Sequence, residues 1–271
     1  MALNKTEQQR IISKYGTWAI VTGASSGLGK ALAEELATAG MNLILVARRE
    51  EILNDMAQQF KSQFGISTVT LSADLSSTEG VAAVKDISNN LDVGLLVTAA
   101  GFGTSGRFLS ANMEEELSML SVNCKSVLML IYHFGNQFKA AKHGGIILFS
   151  SIVAFQGVPY SAHYAATKAY IQTLGEGLAV EWKGSGVDIH IAAPGPVKTG
   201  FGEVANMDME NAQDPAVLAP EILKALGRKT ISFPGGITKL LTGSLSLLPR
   251  WGKVRVMKLV MSGMTKADLS Q

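Results

Sequence analysis

Trp18-Ala19-Ile20-Val21-Thr22-Gly23-Ala24-Ser25-Ser26-Gly27-Leu28-Gly29 decides the fold of this chain. Five strand-forming residues run into a glycine turn, and the turn opens directly into Leu28–Ala39, a helix-compatible stretch stopped by Gly40. At such a junction the unpaired backbone N–H groups and the positive end of the helix dipole favour a pyrophosphate, and glycines let the backbone approach it closely. The spacing is G-x-x-x-G-x-G. A Walker loop ending at Gly29-Lys30 is excluded because Ala24 stands where its leading glycine belongs.

Outward from this turn, apolar runs recur at Asn42–Ala47, Thr68–Ser72, Leu95–Thr98, Gly145–Ser150 and Val187–Ala193, with a short seventh at Ile231–Phe233. Most lack strict alternation, as strands covered on both faces do. Between them Glu50–Phe64, Thr78–Asn89, Met113–Ala141 and Tyr164–Trp182 read as crossover helices. The alternation predicts a single Rossmann-type α/β domain over 1–271: a doubly wound, seven-stranded, mostly parallel sheet with helices on both faces. Phe201–Pro220 mixes Gly, Asn, Asp and Pro with apolar residues at no clear period, so residues 201–220 are expected to form a mobile lid beside the site.

A chain of 271 residues with 47% hydrophobic and 17% charged residues can bury a large core within one domain. A net charge of +2 argues against a nucleic-acid footprint. Cys124 is the sole cysteine, so no internal disulfide or cysteine zinc cage is available, and a reducing, cytoplasmic setting fits. His133, His143, His163 and His190 share no metal-like spacing, and no metal is expected. Met1–Arg10 lacks the apolar run of a secretory signal, and no stretch reaches the roughly 18 uncharged apolar residues of a membrane span. A soluble or peripheral protein is expected.

The second strand ends Val46-Ala47-Arg48-Arg49. An acid at this tip hydrogen-bonds the ribose of NAD, whereas arginine accommodates the 2′-phosphate of NADP. With no carboxylate there and two guanidinium groups able to pair phosphate and stack on adenine, NADP(H) is favoured over NAD(H).

Tyr164-Ala165-Ala166-Thr167-Lys168 places a phenol and an ammonium one helical turn apart on one face. A fixed positive charge should lower the phenol from its usual pKa of about 10 toward working pH, so that it can act as acid or base. Ser150-Ser151 closes the fifth strand at the carboxyl end of the sheet, where open α/β folds bind ligands. A hydroxyl there can hold charge growing on a carbonyl oxygen. Asn123, inside the long helix, offers a further polar group.

With these motifs in this order, the chain resembles the short-chain dehydrogenase/reductase family from Thr22 to Thr199. The glycine turn is Thr22 to Gly29, the adenine-side pair is Asp74-Leu75, and the helical asparagine is Asn123. The serine is Ser151, the Tyr-x-x-x-Lys pair is Tyr164 and Lys168, and the proline-glycine segment is Pro194-Gly195-Pro196-Val197-Lys198-Thr199. The resemblance implies Tyr164 as general acid/base, with Lys168 lowering its pKa and holding the nicotinamide ribose. It implies that Ser151 polarises the carbonyl and that Asn123 positions a water for proton relay. Cofactor contacts would come from Gly23, Ser25, Ser26, Gly27, Leu28, Gly29, Arg48, Arg49, Asp74, Leu75, Ala100, Gly101, Pro194, Val197 and Thr199. One departure stands out: the family's Asn-Asn-Ala-Gly after the fourth strand is Thr98-Ala99-Ala100-Gly101; the Ala-Gly turn survives and no catalytic group is lost, so any loosening of the sheet edge beside the cofactor is given little weight.

From Ile222 to Ala267 there is no acidic residue, while Lys224, Arg228, Lys229, Lys239, Arg250, Lys253, Arg255, Lys258 and Lys266 are basic. The extension 237–271 reads either as a helix packed on the domain or a partner subunit, or as a basic, apolar surface for a membrane interface or a greasy substrate. Together with the lid it points to a hydrophobic ketone or alcohol as small-molecule partner. The family resemblance implies a homodimer or homotetramer. A catalytically silent nucleotide-binding scaffold and a membrane-surface adaptor are the rival readings; the intact Ser151, Tyr164 and Lys168 argue against silence.

Overall fold

Asn4 starts the first element, helix α1 (Lys5–Tyr15), by accepting from the Glu7 backbone N–H at 2.9 Å. In a computed structural model that describes residues 2–209 and 212–266, this polar helix seals the amino end of the sheet. Arg10 donates to the last carbonyls of a later helix at Leu223 and Leu226 (both 2.9 Å), and the Tyr15 phenol reaches Asp188 at 2.7 Å. Its burial is confined to Glu7, Ile11 and Tyr15, too sparse a stripe to be read from hydrophobic periodicity.

The chain continues β1 (Trp18–Thr22), α2 (Gly27–Thr38), β2 (Asn42–Ala47), α3 (Glu50–Phe64), β3 (Thr68–Ser72), α4 (Thr78–Ser88) and β4 (Val93–Thr98). Beyond β4 come α5 (Met113–Leu120), α6 (Ser126–Ala141), β5 (Gly144–Phe149), α7 (Ala162–Glu181) and β6 (Val187–Ala192). The last third holds α8 (Phe201–Val204), α9 (Pro215–Ala225), β7 (Ile231–Ser232), α10 (Gly236–Ser246) and α11 (Arg250–Met264). The seven strands pair in the order β3-β2-β1-β4-β5-β6-β7, every neighbour parallel. Strand order reverses between β1 and β4, which opens a crevice outside their carboxyl ends.

Both faces of the sheet are covered. Leu43 and Leu45 pack with Leu32, Leu36 and Phe60 on one side; Ile44 and Leu96 pack with Val127, Phe134 and Phe138 on the other. Each such side chain stabilises the fold by about 1.5–3 kcal/mol. This double burial is why the strands read as continuous apolar runs. β7 adds only two paired residues, and His190 secures it: Nδ1 donates to the Lys229 carbonyl at 2.7 Å and Nε2 accepts from Ser232 Oγ at 3.0 Å. Burial pushes that imidazole down to about 4, so it stays neutral and keeps this tautomer.

Two expectations change. The run Met113–Ala141 is not one regular helix, because a π-helical turn over Ser121–Lys125 separates α5 from α6. One extra residue per turn swings Asn123 and Cys124 inward. This stretch is the one described helix long and apolar enough to cross a membrane by length and composition. Its apolar side, however, lies on the sheet through Leu130, Ile131 and Phe134. The segment 201–220 is not an irregular loop: α8 begins it, Val197 bridges Gln213, Met207 bridges Thr265, and Asp214 caps α9 at Pro215. A proline at the first helical position starts a helix rather than breaking it. Residues 210–211 of that segment and 267–271 of the extension lie outside the described residues.

Candidate active site

The glycine turn is shaped by contact. Gly23 has φ +67°, and a Cβ there would stand 2.7 Å from Ala100 N. The Thr22 hydroxyl ties the two strand ends together, donating to Val97 O at 3.3 Å and accepting from Ala100 N at 3.2 Å. Thr98, at the departure from the family pattern, donates to Ile147 O at 3.1 Å. There a hydroxyl bridges β4 to β5, in the middle of the sheet rather than at its edge. At the start of α2, Ser26 makes no side-chain cap, which leaves the helix N–H groups facing the crevice. Leu28 is half-buried against the core and Gly29 is buried. Thr199 reaches over from the segment after β6, its methyl against Gly27, while its hydroxyl accepts from Phe201 N at 3.1 Å. Pro194 and Val197 are buried in the same segment.

Beside this cradle the Arg49 guanidinium donates to Ser25 Oγ at 3.0 Å and Ser25 O at 3.1 Å, and Arg48 stands exposed at the tip of β2. The exposed Asp74 folds its carboxylate onto Ser76 N at 2.9 Å, with Leu75 buried behind it. A loop with a left-handed glycine, an uncapped helix N-terminus and two arginines free of any acid at the β2 tip fits a phosphorylated dinucleotide.

On the other side of the crevice, α7 presents Tyr164 and Lys168. The Lys168 ammonium is buried, donates to Phe149 O at 3.0 Å, and lies 5.7 Å from the centre of the Tyr164 ring. Burial lowers its pKa to about 8. Tyr164 does not behave as its spacing suggested: the phenol is raised above its ordinary value, not lowered. Desolvation dominates, and the group working against it is the hydrogen-bonded Ser151 hydroxyl, not Lys168. The amine is turned to the end of β5 and, lowered to about 8, gives up its charge before the buried phenol would ionise. Ser151 Oγ also touches Pro194 O and Val153 N, both at 3.4 Å.

Asn123 Nδ2 donates to Phe102 O at 2.8 Å and to Thr167 Oγ1 at 3.1 Å, while Oδ1 accepts from Phe102 N at 3.1 Å. The amide thereby clamps the loop after β4 to α7. A Cβ on Gly101 would meet both Asn123 Oδ1 (2.9 Å) and Lys168 Nζ (3.5 Å), so the turn Ala100-Gly101 forms the floor on which these groups converge.

Sequence reading missed several residues here. Phe201 lays its ring against Tyr164, centroids 5.2 Å apart, and against Gly103. Thr238, buried on α10, accepts from Gly195 N at 3.0 Å and from Gln213 Nε2 at 2.9 Å, fixing the proline-glycine segment. His163 pairs with the buried Glu116 at 2.5 Å in the wall of a cavity of about 560 Å³ formed by Thr104–Asn112, Tyr160–His163 and Val204–Asn206. None carries a local signature, because each acts through a tertiary contact.

The sequence profile of the short chain dehydrogenases matches residues 17–210. The chain is 33% identical over 229 residues to a 7beta-hydroxysteroid dehydrogenase of Collinsella aerofaciens, covering 82% of this chain and 87% of that protein. It is 33% identical over 225 residues to the very-long-chain 3-oxoacyl-CoA reductase-like protein At1g24470 of Arabidopsis thaliana, covering 80% and 72%. Among solved structures it is similar to one described in work on 7beta-hydroxysteroid dehydrogenase stereoselectivity (TM-score 0.83, 28% identity, 91% of this chain and 98% of that one). It is also similar to a short-chain dehydrogenase from Sphingobium yanoikuyae in complex with NADPH (TM-score 0.78, 26% identity, 86% and 96%). The chain belongs to the short-chain dehydrogenase family, oxidoreductases acting between alcohols and carbonyls.

Proposed function

We propose that the protein reduces a ketone on a large apolar skeleton, or oxidises the matching secondary alcohol, with NADP(H) and with Tyr164 exchanging the proton. The observation that carries this reading is the convergence of Tyr164, Ser151 and Lys168 beside the glycine cradle. The bound cofactor supplies or accepts the hydride. Ser151 donates to the substrate oxygen and holds charge there. Tyr164, kept protonated by burial, passes its proton to that oxygen. Lys168, charged below about 8, stands behind the phenol to steady its anion and to hold the cofactor ribose. Asn123 keeps the Phe102 backbone and the start of α7 in register, and the open lone pair on its Oδ1 leaves room for the relayed water.

The apolar substrate is supported by Phe201, whose half-buried ring lies 5.2 Å from that of Tyr164 and continues a buried apolar cluster behind it. Val158, Ala165, Ala205, Met207, Met257 and Met261 form a cluster joined by Phe201 and Tyr160. The names of the relatives point the same way, to hydroxysteroids and long acyl chains. A panel of steroid, long-acyl and short keto-ester ketones, each followed by NADPH oxidation, tests the reading. Turnover favouring bulky ketones is expected, and no turnover of any ketone would return the protein to a silent scaffold.

NADP(H) preference rests on Arg48 and Arg49, with Asp74 and Leu75 on the adenine side. Replacing Arg48 with alanine is expected to weaken NADPH binding about 10- to 100-fold, the value of one charge-assisted phosphate contact, and to leave NADH unchanged. Fluorescence titration of both nucleotides measures it, and equal losses would remove the phosphate assignment. Exposed Leu117, Leu128, Tyr132, Tyr170 and Val180 on α5, α6 and α7 support a homo-oligomer built on those helices.

A further inference from the structure

α10 and α11 turn apolar residues toward solvent. The inner side of α10 carries Thr238, Thr242 and Leu245, while Leu240 is 73% and Leu247 86% exposed, beside Ile237, Leu241 and Leu248. α11 buries Met257 and Met261 but leaves Trp251 65% and Leu259 75% exposed. A helix that only covers a soluble domain shows the reverse pattern, polar side out. Arg250, Lys253, Arg255 and Lys258 lie among these side chains, Arg255 over the Trp251 ring at 5.1 Å, and the sequence has no acid from Ile222 to Ala267. Among the described residues, Lys239 is neutralised by Glu221 at 3.0 Å and Arg228 by Glu7 at 2.7 Å, while Arg250, Lys253, Arg255 and Lys258 form no ion pair.

We propose that this face of α10 and α11 docks the protein on an anionic lipid surface. Leucines and a tryptophan would enter the headgroup boundary and the basic groups would meet phosphate and carboxylate headgroups. Charge decides against a second copy as the occupant: a two-fold contact brings the same patch against itself, and among the described residues this one has four cations and no acid to pair them.

The other side of the same unit is stitched to the lid. Asp208 N donates to Met264 O at 2.7 Å, Lys266 N donates to Asn206 O at 3.0 Å, and Met257 and Met261 pack on Ala205 and Met207. Docking therefore holds α11, and through it the segment that carries Phe201, close to the bilayer. Any bearing on substrate entry rests on the apolar-substrate reading, whereas docking itself does not.

The test is co-sedimentation of the full chain with phosphatidylcholine vesicles, with and without phosphatidylserine, at low and high salt. Binding is expected only with phosphatidylserine and is expected to fall with salt. Lys253→Gln with Lys258→Gln should lower partitioning roughly 25-fold, at about fivefold per basic residue. Trp251→Ser with Leu259→Ser should lower it at every salt concentration. All four positions are half-buried or exposed and lie outside the catalytic groups, so circular dichroism and ketone turnover without vesicles should match the parent. Failure to bind either vesicle overturns the proposal. So does light scattering in which the Trp251→Ser, Leu259→Ser protein loses a dimer, since that outcome assigns the face to a second copy.

Discussion

Tyr164→Phe is expected to lower kcat for ketone reduction by about 10²- to 10⁴-fold, the usual contribution of a positioned general acid, while NADPH affinity stays nearly unchanged. The substitution removes one hydroxyl and leaves the ring, so the packing on Phe201 and the spacing to Lys168 survive. Ser151 keeps its contacts with Pro194 and Val153 and can still polarise a carbonyl, but it has no charged neighbour to stabilise its own anion. Single-turnover NADPH oxidation with a fluorescence titration separates the two effects. Parent-like turnover in this variant would assign the proton to another group.

Gly23→Val strikes the cofactor cradle rather than the chemistry. The backbone at φ +67° costs a side chain roughly 1–2 kcal/mol before any contact is considered. A Cβ at 2.7 Å from Ala100 N and 2.8 Å from Ala100 Cα and the Ala99 carbonyl carbon then has nowhere to go, because all three are backbone atoms. The β1 and β4 ends must part, and the Ala100 N–H to Thr22 hydroxyl bond breaks with them. A loss of roughly 3 kcal/mol or more in urea unfolding is expected, with binding of either nucleotide falling below detection. A variant with parent stability and affinity would show that the turn is not held by this contact.

The sheet was legible because its strands are buried on both faces: runs such as Leu43-Ile44-Leu45-Val46 look alike whichever side they face, and the glycine turn fixed the first crossover. That Tyr164, Lys168 and Ser151 share one crevice was legible because the first two share a helix and the third follows a strand; their proposed catalytic roles came from that placement together with the family resemblance. What escaped has a physical reason in each case. A π-helical turn around Asn123 leaves the apolar pattern nearly intact while shifting it by one residue. The direction in which Tyr164 titrates depends on how far it is desolvated and where Lys168 points, and a four-residue interval encodes neither. Phe201, Thr238 and the His163–Glu116 pair act across the fold. The helices of the C-terminal extension show apolar residues on the outside, so a rule that puts such residues inside cannot place them.

The most direct test of the mechanism is the pH dependence of kcat/KM for NADPH-driven ketone reduction, from neutral to alkaline. A phenol held protonated by burial and backed by an amine that loses its charge near 8 should give a plateau through neutrality and a fall above about 8. A rate that climbs as the pH passes through that value would show an ionised phenol doing the work, and would contradict the role of Tyr164 as the proton donor.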